Sequence, residues 1–143
     1  MAELLPSTID LVVQWVKQTP SLFSLVGNNC STTLPKRDED MTFPWIQVTR
    51  VIGESLNAET PIDRARIQFN IWGGVRNNGL PNWQPADEVV RTLDAEIRAF
   101  VGLEIGGAVI MEMAGGEGFM QLEDPDTRSA RFWMDAIVIV RNL

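Results

Sequence analysis

The sequence has no histidine and a single cysteine, Cys30, among its 143 residues. Without histidine, Ser-His and Cys-His nucleophilic mechanisms, histidine metal ligands and an imidazole base are all excluded. One cysteine cannot form a disulfide within the chain. Because reactive thiols need a nearby base or cation, and Cys30 follows Asn28 and Asn29 in a polar stretch, we interpret it as a loop residue rather than a nucleophile.

Positive charge is also scarce. The chain has 12 lysines and arginines against 19 aspartates and glutamates, a formal net charge of −7. The only adjacent basic pair, Lys36 and Arg37, is followed directly by three acidic residues. Nucleic-acid-binding proteins concentrate positive charge to displace counterions from phosphates. Specific DNA binding is therefore not expected.

Long apolar runs are absent as well. None approaches the roughly 18 residues that a membrane span requires, so no membrane partner is expected. The N-terminal residues MAELLPSTID lack the basic segment and apolar core of a secretory signal, which predicts folding in the cytoplasm of the cell that makes the protein. A length of 143 residues with 45% hydrophobic residues suits a single domain over residues 1–143.

Two segments have the apolar spacing of a helix that is buried on one side. The first begins at Ser7 or Thr8 and stops at Pro20, after which SLFSLV has room for one further turn. The second has Pro85 in its first turn and ends before Gly102, since glycine commonly follows a helix. Its core stripe comprises Ala86, Val89, Val90, Leu93, Ile97, Phe100 and Val101.

The period-two alternation of strands occurs over residues 45–52 and 65–72, and antiparallel pairing is the simplest way to join them. Further strands are predicted over residues 108–113, 119–122 and 130–141. The last of these has apolar residues on both faces, which is typical of a central strand. On the strand at 65–72, Ile67, Phe69 and Ile71 are expected to face the core, and Arg66, Gln68, Asn70 and Trp72 to face away from it.

These elements predict an α+β fold. It would consist of a largely antiparallel β-sheet of about four to five strands packed with two main α-helices in a single compact domain. Residues 28–42 and 73–82 are rich in polar residues, glycine, asparagine and proline, and are predicted to be flexible loops.

Carboxylates are the remaining candidates for chemistry. Asp135 is flanked by apolar residues, and Glu112 on a neighbouring strand could oppose it, as in a small hydrolase that uses two carboxylates. Alternatively, Asp135 forms a salt bridge with Arg50 or Arg66, or lies at a subunit contact. The glycine clusters lack phosphate-binding signatures, and the acidic residues 123–126 lack the spacing of a calcium loop, so both are predicted to be turns. No catalytic, cofactor-binding or metal-binding residues are predicted.

Several phrases of the sequence together resemble a known family. They are FPWIQVTRV, RIQFNIWG, the helix ADEVVRTLDAEIRAFVG, and a DPDT turn leading into ARFWMDAIVIVR. This order is similar to that of the tail-terminator or tail-completion proteins of long-tailed bacteriophages. The resemblance covers roughly residues 43–141, and residues 28–42 and 73–82 are the parts it does not match.

The resemblance implies a homohexameric ring at the head-proximal end of the virion tail, assembled in the host cytoplasm. Such a ring stops polymerisation of the tail tube protein and offers a surface to the head-tail connector proteins, while DNA passes through its pore without specific binding. Another neck or head-tail completion protein is the nearest alternative. Exposed tryptophans often anchor interfaces, so we expect subunit or partner contacts at Arg66, Gln68, Asn70, Trp72, Trp83 and Asp135.

Overall fold

The computed structural model describes residues 4–35, 41–51 and 62–143. Within them the helices are α1 (Thr8–Gln18), α2 (Pro20–Val26) and α3 (Trp83–Arg98). The strands are β1 (Cys30–Ser31), β2 (Trp45–Val51), β3 (Ile62–Gly74), β4 (Leu103–Ile105), β5 (Ala108–Glu123) and β6 (Ala130–Asn142). They form one six-stranded sheet in the order β1-β2-β3-β6-β5-β4. The β1 and β2 strands are parallel, and every other neighbouring pair is antiparallel.

The predicted fold class is wrong. A sheet of four to five strands on two main helices was expected, whereas the described residues form a mostly β structure with six strands and three helices. Strands β1 and β4 have only two and three residues, too short for alternation to be recognisable. The strands predicted at 108–113 and 119–122 are one strand, β5, because its glycines form a register shift rather than a turn.

The predicted loops also need correction. Cys30 belongs to β1 and is buried, and Gly73 and Gly74 belong to the end of β3. Val75 then forms a bridge with Pro81, so the segment that follows β3 is short and closed. The part of the predicted loop at 36–40, and the predicted strand residue Ile52, lie outside the described residues.

The helices begin where the sequence indicates, with one exception. Ser7 caps α1 by accepting a hydrogen bond from the Asp10 N–H at 3.4 Å, as its position before the apolar stripe predicts. The α3 helix, however, begins at Trp83, which was predicted to lie in a loop, and ends at Arg98. Val101 therefore lies beyond the helix and is 95% exposed, so its assignment to the core stripe is wrong.

The sheet curls around the helices as a half-barrel. Helix α1 packs against β1 and β2 at one edge of the sheet and against β4 at the other edge, which requires this curvature. We call the sheet face toward the helices the inner face. Its buried side chains include Ile46, Val48, Ile67, Phe69, Ile71, Met134 and Val138, which join the helices in one core.

The opposite face of the sheet, which we call the outer face, is formed by the alternate residues of the same strands. Most of its side chains on β2, β3 and β6 are intermediate in exposure. Strand β6 lies between β3 and β5, so the prediction of a central strand with two apolar faces is confirmed.

Among the described residues, no helix is long and apolar enough to cross a membrane.

Candidate functional site

The register of the sheet brings five of the six predicted contact residues onto the outer face. In an antiparallel pair, directly opposed residues point to the same side of the sheet. Gln68 opposes Asp135, Asn70 opposes Trp133, and Trp72 lies between Trp45 on β2 and Arg131 on β6. Arg66, two residues from Gln68 on β3, shares this face. The candidate site is therefore a surface on adjacent strands rather than a cleft between domains.

Trp83 is the predicted residue that the structure places elsewhere. It is the first residue of α3, and its ring packs edge-to-face against Phe132, with centroids 5.6 Å apart and an interplanar angle of 73°. Phe132 belongs to the inner face. Trp83 therefore contributes to the border of the core, on the side of the sheet away from the other five residues.

At one end of the outer face, the Arg131 side chain contacts both Trp72 and Asn70. The Arg131 guanidinium lies over the Trp72 ring, 4.9 Å from its centroid. The same guanidinium donates to Oδ1 of Asn70 from Nε at 3.1 Å and from Nη2 at 2.6 Å. Gln68 Nε2 donates to that oxygen at 3.3 Å. Asn70 is only 4% exposed, and its side-chain carbonyl oxygen is satisfied by these donors. The hydrogen bonds fix the positions of the Gln68, Asn70 and Arg131 side chains.

An ion pair organises the other end. Arg66 Nη1 donates to Asp135 Oδ2 at 3.2 Å, with the two side chains 42% and 24% exposed. The alternative that Asp135 forms a salt bridge is therefore confirmed, with Arg66 and not Arg50 as its partner. An ion pair this exposed contributes only about 0–1 kcal/mol to stability. It therefore matters here as a charged part of the outer face rather than as a stabilising contact.

The ion pair borders a cavity of about 520 Å³ on the outer face. Its walls include Trp133 and Ile137 of β6 and Met120 of β5. The irregular part of β5, between Gly115 and Phe119, opens this space because the strand loses its regular pairing there. At Gly116 a Cβ atom would collide with Oδ1 of Asp135, so only glycine lets the carboxylate occupy its present position.

Two buried donors of the outer face have no hydrogen-bond acceptor among the described residues. They are Nε of Arg66 and Nε1 of Trp72. Buried polar atoms in proteins are nearly always paired, so each such donor calls for a specific explanation. Both belong to residues that the sequence singles out as contact candidates.

The carboxylate pair considered for a hydrolase does not form. Strands β5 and β6 do pair, but their register places Glu112 opposite Ile139 rather than Asp135. Asp135 is four residues from Ile139, a separation of roughly 13 Å along the strand. Glycosidase carboxylates lie about 5–9.5 Å apart. In the part of the chain that the structure describes, no group of three or more metal-binding side chains occurs either.

The sequence reasoning missed a buried ionic cluster on the inner side. Asp63, 3% exposed, accepts hydrogen bonds from Arg50 Nη1 at 2.6 Å, Arg50 Nη2 at 2.7 Å and Thr8 Oγ1 at 2.5 Å. Burial alone would raise the pKa of Asp63, but the bonds from Arg50 and Thr8 and the charge of Arg50 outweigh it and hold the pKa below its usual value. The cluster joins α1 to β2 and β3. The register gave no signal for it, since Arg50 lies opposite Ile67 and Asp63 is four residues away along β3.

The two other polar features have structural roles. Asp124 Oδ2 accepts from the Thr127 N–H at 2.9 Å and from Thr127 Oγ1 at 2.7 Å, which lowers the Asp124 pKa and closes the predicted turn. Burial raises the pKa of the Cys30 thiol to about 12, against a smaller opposing effect of Lys17. Cys30 is therefore a protonated core residue, in agreement with its interpretation as a non-nucleophile.

The site is thus an ordered outer face that carries aromatic, cationic and anionic side chains and two unmatched donors. Comparison of the chain with models of known protein families and with curated protein sequences finds no match in either.

Proposed function

We propose that this chain is a structural protein of a bacteriophage virion, a tail terminator that assembles into a homohexameric ring on the tail tube. The ring stops polymerisation of the tube and provides the surface to which the head-tail connector attaches. The observation that carries the proposal is the outer face, where tryptophan, arginine and carboxylate side chains of β3 and β6 remain partly exposed.

The composition and order of this face suit a protein contact. Tryptophan and arginine are the residue types that most often dominate interface energies. Arg131 holds Asn70 and covers Trp72, so these side chains are already fixed before a partner arrives. Binding to a pre-ordered surface loses less conformational entropy than binding to a mobile one.

The resemblance to tail-terminator proteins supplies the assignment to the phage tail. The phrases that carry it coincide with main elements of the fold: FPWIQVTRV contains β2, RIQFNIWG lies in β3, ADEVVRTLDAEIRAFVG covers most of α3, and ARFWMDAIVIVR lies in β6. The resemblance therefore rests on elements that build the core and the outer face.

The net charge is compatible with a ring at the head-proximal end of the tail. Every copy would add a charge of −7. DNA must pass through the pore, and an acidic ring would repel its phosphates rather than retain them. The partners in this proposal are other copies of the chain, the tail tube protein and the connector protein.

A virus from which the gene has been deleted tests the proposal. Electron microscopy of lysates should show tails longer than those of the parent, because nothing ends tube growth. Expression of the chain from a plasmid should restore the parental length. Tails of normal length that remain unattached to heads would contradict a terminator and identify a neck protein instead.

The purified chain offers a second test. Size-exclusion chromatography with light scattering should give a mass several times that of the 16.0 kDa chain, either alone or when tail tube protein is added. A chain that stays monomeric and also fails to bind the tube would refute the proposal.

A further inference from the structure

We infer that Asn78 is a site of spontaneous covalent modification, at which the backbone nitrogen of Gly79 attacks the side-chain amide and converts the asparagine to aspartate and isoaspartate. The inference does not depend on the proposed function. It starts from the exposed hairpin between β3 and α3, which belongs to neither the core nor the outer face. Asn78 is the only asparagine in the sequence that is followed by glycine.

The Asn78–Gly79 pair lies at the tip of a closed turn. The Arg76 N–H donates to the Leu80 carbonyl at 2.7 Å, and the Gly79 N–H donates to the Arg76 carbonyl at 2.9 Å. Gly79 has a φ of +82°, which glycine adopts readily. All residues from 75 to 80 are exposed, so both residues of the pair are open to solvent.

A hydrogen bond prepares the side chain of Asn78 for attack. The Leu80 N–H donates to Oδ1 of Asn78 at 3.1 Å. Such a local side-chain turn bends the asparagine side chain back along the peptide unit that joins it to Gly79. During the attack negative charge develops on Oδ1, and a donor that is already directed at this atom stabilises that charge.

Glycine is the neighbour that least obstructs the reaction. Gly79 has no side chain beside its nitrogen, and apart from its chain neighbours no atom of the described residues lies within 4 Å of the place that a Cβ would occupy. The hydrogen bond from the Gly79 N–H to Arg76 must open first. Because this bond lies in an exposed turn, water replaces the lost partner and the opening costs little. The turn therefore permits the reaction in the folded chain.

The conversion needs water as its only further reactant. The Gly79 nitrogen loses its proton to base and forms a bond to Cγ of Asn78. The bond from Cγ to Nδ2 breaks, and the nitrogen takes up a proton from solvent and leaves as ammonia, so that a succinimide ring remains. Water then opens the ring. Attack at Cγ gives aspartate, whereas attack at the former backbone carbonyl carbon gives isoaspartate, in which the main chain runs through Cβ and Cγ.

Incubation of the purified chain at mildly alkaline pH tests the inference. Ion-exchange chromatography should show a species with one additional negative charge that accumulates with time, and peptide mass spectrometry should place aspartate and isoaspartate principally at position 78. The rate should rise about tenfold per pH unit, because the ionised fraction of the Gly79 amide rises in that proportion.

Two variants make the test specific. Asn78→Ser should abolish the acidic species, because the side-chain amide is gone. Asn77→Ser is the matched control, since it changes the neighbouring exposed asparagine but keeps the Asn–Gly pair, and it should convert like the parent. Circular dichroism confirms that both variants are folded.

The parent chain unfolded in urea is the positive control, because an open Asn–Gly pair reacts under the same conditions. A folded parent that stays unconverted while the unfolded chain reacts would overturn the inference. Conversion principally at another asparagine, or an acidic species that persists in Asn78→Ser, would also overturn it.

Discussion

Asp63 is the single residue that best tests how the first helix is fixed to the sheet. Arg50 and Thr8 bind its carboxylate where α1 meets the sheet. In Asp63→Asn the shape is kept but the charge that balances Arg50 is lost. We expect the free energy of unfolding to fall by about 1.5–3 kcal/mol at neutral pH, the range for hydrogen bonds to charged groups. Urea denaturation followed by tryptophan fluorescence measures the change.

Asp94→Asn is the matched control for this substitution. Asp94 also pairs with an arginine, Arg98, but on the surface of α3 and at i,i+4 spacing. Such pairs contribute about 0.2–0.5 kcal/mol. If Asp63→Asn lost no more stability than Asp94→Asn, the buried cluster would not be an important link between helix and sheet.

The same residue predicts how stability depends on pH. The pKa of Asp63 is lower in the folded protein than in the unfolded chain, where it is about 3.9. Its ionised form therefore stabilises the fold above that value, and the contribution is lost as the pH falls through the folded pKa. The stability difference between parent and Asp63→Asn should be constant from about pH 5 to 8 and shrink below about pH 4. A difference that persisted undiminished in acid would show that shape, rather than charge, causes it.

At the scale of secondary structure elements, the sequence predicts best where alternation is long. The β3 and β6 strands, of 13 residues each, were recognised, with Ile67, Phe69 and Ile71 correctly assigned to the core. Strand β5 was divided in two, since glycine usually indicates a turn and here accommodates a close approach to Asp135 instead. The short edge strands depend on pairing with distant residues, which local patterns do not contain.

Gly116 makes the role of this irregular part of β5 testable. In Gly116→Ala the new methyl group would collide with the Asp135 carboxylate, which must turn away from Arg66. We expect a loss of about 1 kcal/mol in the free energy of unfolding, the upper range for an exposed ion pair. Gly115→Ala is the matched control, since its methyl group would make only an ordinary contact with Ile97 at 3.8 Å. It should be neutral or slightly stabilising, by about 0.5 kcal/mol.

A double-mutant cycle identifies the cause. If the collision with Asp135 is responsible, Gly116→Ala should cost little in a chain that already carries Asp135→Ala, because the obstructing carboxylate is gone. An undiminished cost in that background would assign the effect to the backbone of β5 instead.

For the whole molecule, the candidate site depends on long-range register, and only part of it could be predicted from the sequence. Alternation along β3 correctly grouped Arg66, Gln68, Asn70 and Trp72, because period two is a local property. Arg50 and Arg66 were both considered as salt-bridge partners of Asp135, beside a subunit contact, since the order of strands decides which arginine it meets. Trp83 was misplaced because nothing local shows that α3 begins there and turns the ring toward Phe132.

The division of the domain into a core side and a contact side leads to opposite effects for two tryptophans. Trp133→Ala removes a large side chain from the outer face, so it should weaken assembly by about 2 kcal/mol or more, as for interface anchors. The effect of Trp133→Ala on the free energy of unfolding should be smaller than its effect on assembly. Trp83→Ala removes an edge-to-face contact at the core border, so it should destabilise the fold by about 2–3 kcal/mol, below the 3–5 typical of full burial. Urea denaturation and sedimentation velocity on both variants separate the two effects. If Trp83→Ala impaired assembly while remaining as stable as the parent, the Trp83 ring would act at a subunit contact rather than at the border of the core, because only a surface residue can lose binding without loss of stability.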